Sequence, residues 1–236
     1  MASVVIKNWD NKNWLSSNEY IKSFNKFLTK NIRLSPSSKI LDIGCGRGKI
    51  VGNLNSKFKF KSKPIGIDIV NHKNKDKRIR FKKIDASSFF LTNKNKFDLI
   101  LIKQTIHLLN LDNIKRLLLM AKKNLSTNGK IFIFTLDSDK NELPTFKSMR
   151  IKLIKSLKRD KKILNIITKL YPNRIKKKFI YKVEILKKKY LIMIKKRYIS
   201  ILLSFSKKEL LKGKKEVNFK YKNIIKFNDK LICIIL

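Results

Sequence analysis

Residues 39–49 read Lys-Ile-Leu-Asp-Ile-Gly-Cys-Gly-Arg-Gly-Lys, and this stretch decides the fold. It begins with a short apolar strand, Ile40–Ile43, which carries an acid at Asp42. Glycines then occupy three alternate positions, Gly44, Gly46 and Gly48. Glycine permits positive φ and lets a ligand approach the backbone closely. Because a helical pattern begins near Lys49, the stretch predicts a strand, a glycine turn and a helix N-terminus that form a nucleotide-type cradle.

The acid at position 42 separates two classes of ligand that such a cradle binds. A carboxylate beside the turn repels a pyrophosphate and attracts an ammonium group. Asp42 therefore favours S-adenosylmethionine over NAD. Cys45, inside the turn, is interpreted as a small residue of the cradle rather than as a nucleophile.

The first 137 residues alternate between strand and helix patterns. Apolar runs predict five strands, at Ile40–Ile43, Pro64–Val70, Ile79–Ile84, Phe97–Ile102 and Lys130–Leu136. Helical spacing begins near Tyr20 and near Ile50, and it covers Leu111–Leu125, where Asn128 and Gly129 are expected to end the helix. This alternation predicts a parallel α/β sheet.

The pattern changes after Asp137. A basic helix is predicted over residues 147–170 and a sixth strand over Phe179–Ile185. Two helical stretches, 187–204 and 206–221, and a last strand, Leu231–Leu236, complete the prediction. Because no internal repeat and no linker rich in Gly, Ser or Pro divides the chain, we expect residues 1–236 to form a single domain.

Length and composition exclude several classes of protein. A hydrophobic fraction of 43% is ordinary for a globular chain, and no apolar run approaches the roughly 18 residues of a membrane span. The N-terminus lacks the pattern of a signal peptide. The two cysteines, Cys45 and Cys233, lie in unlike contexts and indicate neither a disulfide framework nor a metal site. A cytoplasmic location is therefore expected.

A net charge of +42 is typical of proteins that bind nucleic acid. Of the 58 basic residues only 9 are Arg, which leaves 49 Lys, and Asn and Ile are also abundant. Lys, Asn, Ile and Phe have AT-rich codons, so genome composition explains much of this charge. A dedicated nucleic-acid surface is more often rich in Arg, which makes bidentate contacts to phosphate and guanine.

The strands and their loop acids resemble the class I S-adenosylmethionine-dependent methyltransferase family, over about residues 37–137. The run Asp42-Ile43-Gly44-Cys45-Gly46-Arg47-Gly48 fits the first motif of that family, and three further acids follow in the expected order, Asp68, Asp85 and Asp98. The resemblance implies a Rossmann-like three-layer α/β sandwich with a mostly parallel seven-stranded sheet, an antiparallel C-terminal strand and substrate-cap helices inserted after the fifth strand. Within the single domain it implies an N-terminal lid at 1–36, a cofactor-binding core at 37–137 and a substrate side at 138–236.

The resemblance also implies a role for each residue of the cofactor site. Gly44 and Gly46, with Cys45 between them, form the floor beneath the methionine part of S-adenosylmethionine, and Asp42 faces its amino group. Asp68 binds the two ribose hydroxyls and Ile69 packs on the adenine. The remaining members are Asp85 and Ala86 at the adenine amine, and Lys103 and Gln104 near the sulfonium and the substrate. No metal is implied.

Three of the acidic residues have alternative interpretations. Asp68 could be a solvated loop acid, although its position at a strand end favours ribose binding. Asp85 could instead cap a helix that begins after it. Asp98, at the start of the fourth strand, is interpreted as structural.

The substrate side gives weaker signals. After the fourth strand the chain reads Lys103-Gln104-Thr105-Ile106, without the Asn/Asp-Pro-Pro run of amine-methylating nucleic-acid enzymes, and neither cysteine follows a proline. The segments 197–210 and 227–229 are similar to small-molecule members of the family, as are the N-terminal aromatics Trp9, Trp14 and Tyr20; ordinary helix packing explains them equally well. His107 is the candidate general base, with structural packing as its alternative.

These observations favour an enzyme that transfers a methyl group from S-adenosylmethionine to a small-molecule acceptor by in-line displacement. The first alternative is a methyltransferase acting on RNA or another nucleic acid, which the charge favours. The second is a catalytically inactive module that binds the cofactor.

Overall fold

A computed structural model of the protein describes residues 13–236. Within this range the strands are β1 Ile40–Ile43, β2 Ile65–Asp68, β3 Arg80–Lys83, β4 Phe97–Lys103, β5 Leu125–Leu136, β6 Ile175–Leu186 and β7 Ile224–Ile235. The helices are α1 Asn18–Asn31, α2 Lys49–Phe58, α3 Ala86–Thr92, α4 Leu111–Lys123, α5 Lys147–Leu170, α6 Lys187–Lys195 and α7 Lys207–Lys220. Short 3-10 turns lie at Trp14–Ser16, Ile106–Leu108 and Ser200–Ser204.

The strands form one seven-stranded sheet in the order β3-β2-β1-β4-β5-β7-β6. The pairs among β1 to β5 are all parallel, whereas β7 is antiparallel to both of its neighbours, β5 and β6. The predicted fold class is therefore confirmed: a mostly parallel sheet with an antiparallel C-terminal strand and helices inserted after β5. The carboxyl ends of β1, β2 and β4 lie side by side at one edge of the sheet, which is where open α/β sheets bind ligands.

Alternation along the central strands produces the three layers. On β4, Ile100 and Ile102 belong to the core that α4 and the second half of α5 cover. Leu99 and Leu101 belong to the opposite core, which α1 and α2 cover. Because β4 is apolar at these positions, both of its faces are buried, as expected for a central parallel strand. A third cluster joins the start of α5 to α6 and α7 and forms a cap beside the sheet.

The predicted end of α4 is wrong. The helix ends at Lys123, where the backbone N–H of Asn124 bonds the carbonyls of Met120 and Ala121, and β5 begins at once. Gly129 lies within β5, at an irregularity in its pairing with β4. A Cβ at Gly129 would lie 2.5 Å from the carbonyl oxygen of Phe97, so this glycine permits a close approach of two strands rather than capping a helix.

The C-terminal elements also differ from their prediction. The antiparallel strands β6 and β7, which α6 and α7 separate in the chain, each have 12 residues and are longer than the predicted segments. In β6, which is the edge strand, lysines at the solvent-facing positions hide the apolar alternation. The stretch 187–204 is not one helix. It is interrupted at Arg197, which has φ +55°, and the Tyr198 N–H bonds the Met193 carbonyl in a Schellman-type helix end.

Residues 13–236 contain no helix that is long and apolar enough to cross a membrane. The same residues contain no group of three His, Cys, Asp or Glu side chains placed to hold a metal ion.

Candidate active site

The glycine turn after β1 is fixed by hydrogen bonds to the neighbouring strand. The backbone N–H groups of Gly44 and Cys45 both donate to the carbonyl of Ile67, at 2.9 and 3.0 Å. Gly44 has φ +69°, and a Cβ there would lie 2.2 Å from Oγ1 of Thr105 in the loop after β4. The turn therefore needs glycine at this position for both its conformation and its contact.

Asp68, at the end of β2, fastens the turn from the other side. Its Oδ2 accepts the backbone N–H of Gly46 at 2.9 Å, and its Oδ1 accepts that of Val70 at 2.9 Å. The Nε2 of His72 lies 3.9 Å from Oδ2. Because a carboxylate offers about four acceptor positions, these contacts leave capacity for a ligand's hydroxyl groups. Ile69, predicted to pack on adenine, is exposed next to Asp68.

Asp42 is a buried acid beneath the turn, with 4% of its surface exposed. Burial raises its pKa to about 7; the ammonium of Lys103 opposes this rise and the carboxylate of Asp68 adds to it. A buried carboxylate with incomplete compensation gains strongly from a cationic partner. The site therefore fits a ligand that carries an amino group, as predicted for S-adenosylmethionine.

Asp85 caps α3, as its alternative interpretation predicted. Its Oδ1 accepts the backbone N–H of Ser88 at 3.0 Å, and its Oδ2 accepts the Ser88 hydroxyl at 2.5 Å. These bonds from Ser88 hold the pKa of the exposed carboxyl below its usual range. A cap leaves lone pairs available, so contact with adenine by Asp85 and the adjacent Ala86 stays a prediction.

Lys103 and Gln104 lie beside the turn, at the end of β4 and directly after it. The Lys103 ammonium lies 5.2 Å from the ring centroid of Tyr20 and 5.4 Å from that of Phe24, and its Nζ is 3.2 Å from Oε1 of Gln104. Gln104 has φ +52°, a conformation held in place by its N–H bond of 2.9 Å to the Phe134 carbonyl. A residue other than glycine at positive φ is strained, and such strain concentrates at functional sites.

A family model described as "Methyltransferase domain" matches residues 15–169, which is more than half of the chain. The chain belongs to the class I S-adenosylmethionine-dependent methyltransferase family. The match includes the glycine turn, Asp68 and the end of β4, so the predicted family and cofactor are confirmed.

Solved structures support the methyltransferase fold. The plantazolicin methyltransferase BpumL, in complex with a monoazolic desmethylPZN analog and SAH, is 18% identical with a TM-score of 0.54, and the match covers 97% of this chain and 86% of that one. A SAM-dependent methyltransferase from Thiobacillus denitrificans, in complex with S-adenosyl-L-homocysteine, is 13% identical with a TM-score of 0.55 over 97% and 95% of the two chains. One from Geobacter sulfurreducens, with the same ligand, is 14% identical with a TM-score of 0.52 over 93% and 89%. No curated protein matches the chain significantly in sequence.

The N-terminal segment of the methyltransferase is fastened to its C-terminal part. Trp14 Nε1 donates to Oδ2 of Asp229 on β7 at 3.1 Å, and Asn13 Nδ2 donates to the Tyr198 carbonyl at 3.1 Å. The Tyr20 hydroxyl faces the same Asp229 carboxylate, without ordinary hydrogen-bond geometry. Burial raises the pKa of Asp229, whereas Lys103 and the Trp14 bond lower it. The third aromatic residue predicted for this lid, Trp9, lies outside the described residues.

His107 lies in the 3-10 turn that follows β4. Burial, and to a smaller extent the nearby positive charge of Arg159, lowers its pKa to about 4. The imidazole is therefore neutral at physiological pH and weakly basic. It can accept a hydrogen bond, and its role as a general base stays a prediction.

Two features of the site have no clear signal in the sequence. Thr105 packs against the glycine turn because the chain reverses after β4, which no local pattern reveals. The positive φ of Gln104 likewise depends on a contact between strands, the hydrogen bond from its backbone N–H to the Phe134 carbonyl on β5.

Asp42 makes the affinity for S-adenosylhomocysteine dependent on pH. Because its pKa is raised to about 7, the carboxyl is mostly protonated at pH 6 and mostly ionised at pH 8. The ammonium of the ligand prefers the ionised form, so affinity should rise about tenfold over this interval. Titration calorimetry at several pH values checks this, and Asp42→Asn should bind more weakly with a nearly flat profile. An equally steep profile in Asp42→Asn would refute the assignment.

The hydrogen bond between Trp14 and Asp229 should contribute measurably to stability. Trp14→Phe keeps a ring against Phe227, whose centroid lies 5.1 Å from that of Trp14, but it removes the indole donor. The buried carboxylate then loses a partner, so we expect the free energy of unfolding to fall by about 1–3 kcal/mol. Urea denaturation measures the change, and a variant as stable as the parent chain would show that the bond is dispensable.

Proposed function

We propose that this methyltransferase transfers a methyl group to a small-molecule acceptor enclosed between the sheet edge, the lid and the C-terminal cap. The observation that carries the proposal is the attachment of the N-terminal segment to the C-terminal part. The contacts Trp14–Asp229 and Asn13–Tyr198 join this segment to residues about 200 positions away, and Asp229 is near enough to Lys103, at the end of β4, for that charge to lower its pKa. A site covered by such a segment would accommodate a small molecule, whereas a folded nucleic acid needs an open surface.

Each residue at the sheet edge binds a different part of the cofactor. Asp42 holds the amino group and Asp68 the ribose hydroxyls, while Ile69 supplies an exposed apolar surface for the adenine. S-adenosylmethionine supplies, when bound, an activated methyl group on a sulfonium. Asp85 and Ala86 flank the adenine, and Gly44, Cys45 and Gly46 form the floor of the methionine pocket. Methyl transfer then depends on alignment and on exclusion of water, for which the lid is suited.

The region next to Lys103 and Gln104 is where we place the acceptor. These residues lie at the carboxyl end of β4, between the glycine turn and the lid, and Gln104 is held in a strained conformation there. The plantazolicin methyltransferase, which has a similar fold, was solved with a desmethylPZN analog and SAH, so a comparable fold binds a natural-product analog. We also propose a cytoplasmic location for the enzyme.

The charge of +42 supports one competing function, methylation of RNA or another nucleic acid. The solvent-facing side of α5 is rich in lysine and arginine, which suits phosphate contacts. Binding of RNA alone does not establish this function, since any chain of this charge binds polyanions at low salt.

Methyl incorporation distinguishes the two functions. The purified enzyme is incubated with S-adenosylmethionine labelled in its methyl group and with either a small-molecule extract or total RNA, at about 150 mM salt. We expect the label in the small-molecule fraction. If RNA is labelled and the small-molecule extract is not, the enzyme methylates RNA and the proposal is wrong. If neither fraction is labelled although S-adenosylhomocysteine binds, the protein is an inactive cofactor-binding module.

A further inference from the structure

One residue on the buried stripe of α5 is an acid. The inward-facing positions of this helix are Met149, Leu153, Leu157, Asp160, Ile163 and Ile167. Asp160 is only 2% exposed, and its Oδ1 accepts no hydrogen bond from any residue that the structure describes. An apolar side chain at this position would continue the stripe, so the carboxyl group has no evident role in packing.

Such a group opposes folding. A buried carboxylate without a full set of partners loses its hydration and gains little in return. Burial raises the pKa of Asp160 to about 6, with the charge of Arg159 opposing the rise, so the group is still mostly ionised at neutral pH. A buried, ionised and incompletely satisfied acceptor is characteristic of a binding site whose ligand supplies the missing donor.

Contacts of the two adjacent residues show where Asp160 lies. Nη2 of Arg159 donates to the Leu109 carbonyl at 2.7 Å, and Nζ of Lys161 is 3.2 Å from Oδ1 of Asp139. Leu109 follows the turn after β4 and Asp139 follows β5, so both acceptors belong to loops that leave the carboxyl edge of the sheet. Successive helix residues are about 100° apart, and Asp160 therefore faces the sheet edge between these two loops.

Two further polar residues lie at the carboxyl ends of β4 and β5. Thr135, near the end of β5, is fully buried and lies on the same sheet face as Ile133, which packs in one core with Ile163. His107 is close enough to Arg159 for that charge to lower its pKa. Asp160 thus lies where α5 passes from the sheet core, which includes Ile163, to the cap cluster, which includes Met149.

We propose that Asp160 binds the methyl acceptor, with its Oδ1 accepting a hydrogen bond from an N–H group, so that the acceptor is an amine. The inference rests on the proposed function, because it takes the carboxyl ends of β4 and β5 as the acceptor side. An anionic acceptor would be repelled by this carboxylate. The N–H group of a neutral amine forms a charge-assisted bond with it, and the nitrogen keeps its lone pair for attack on the methyl group.

Ligand-observed NMR with benzylamine as the probe tests the assignment, in the presence of saturating S-adenosylhomocysteine. We expect the parent chain to bind benzylamine and not benzoate, and Asp160→Asn to weaken the binding at least about tenfold. The matched control is Asp139→Asn, which changes an exposed acid next to the same helix and should bind like the parent chain. Equal binding by Asp160→Asn, or no binding of benzylamine to the parent chain, would overturn the proposal.

Two further measurements separate the possible failures. Asp160→Leu should raise the melting temperature by a few degrees, because it replaces a buried acid with an apolar side chain in an apolar stripe. An unchanged or lower melting temperature would mean that the carboxylate has a structural role, and would overturn the inference. Calorimetry with S-adenosylhomocysteine on the same samples isolates the proposed function: lost cofactor binding in the parent chain refutes that function, whereas retained binding with unchanged amine affinity refutes only the role of Asp160.

Discussion

Asp68→Ala is expected to weaken the binding of S-adenosylhomocysteine by about 100-fold or more. The substitution removes the acceptor for the ribose hydroxyls, and it also releases the backbone N–H of Gly46, which now bonds Oδ2 at 2.9 Å. Hydrogen bonds to a charged group contribute about 1.5–3 kcal/mol each, and 100-fold corresponds to about 2.7 kcal/mol. Titration calorimetry measures the loss directly.

Asp98→Ala is the matched control for this prediction. Asp98 lies at the opposite end of the sheet, where its Oδ2 accepts the Lys39 N–H at 2.7 Å and its Oδ1 accepts the Ser126 hydroxyl at 2.7 Å. Its removal should lower stability and leave the affinity for S-adenosylhomocysteine unchanged. If the two alanine variants lose affinity to the same extent, the effect is general destabilisation and the ribose role of Asp68 is wrong.

Gly44→Ala is expected to destabilise the protein by about 2–5 kcal/mol and to abolish measurable cofactor binding. The left-handed backbone at φ +69° disfavours any Cβ by about 1–2 kcal/mol. The added methyl group would also overlap Thr105, whose Oγ1 lies 2.2 Å from the position that the new Cβ would occupy, and overpacking of this kind costs about 1–3 kcal/mol. Urea denaturation and calorimetry provide the two readouts.

A second substitution separates these two contributions. Thr105→Gly removes the overlapping side chain, including the Cβ that lies 2.7 Å from the added methyl group, but it does not change the φ of residue 44. The double variant Gly44→Ala/Thr105→Gly should therefore lose less free energy of unfolding than the two single variants lose together. If the two losses in free energy of unfolding are strictly additive, Thr105 does not clash with the methyl group added at residue 44.

The cofactor half of the protein could be predicted from the sequence because its determinants are local. The strand Ile40–Ile43, the glycines after it and the acid at the end of β2 lie within about 30 residues, and each has a distinct residue type. The structure brings Asp42, Gly44 and Asp68 together at one sheet edge, as predicted.

The C-terminal part, after β5, could not be predicted in the same way. The lysines on β6 conceal its alternation, and the break at Arg197 depends on a positive φ at a residue that is not glycine. Asp160 is one acid in a basic helix, and only packing of α5 against the sheet shows that it is buried. These features follow from contacts between distant segments, which local patterns do not encode.

We expect the edge formed by β1, β2 and β4 to bind the methyl donor. Titration of the folded parent chain with S-adenosylhomocysteine, at pH 8 where Asp42 is mostly ionised, measures this binding. We predict saturable binding at one site per chain. Absence of binding by a chain whose circular dichroism shows the folded state would contradict it.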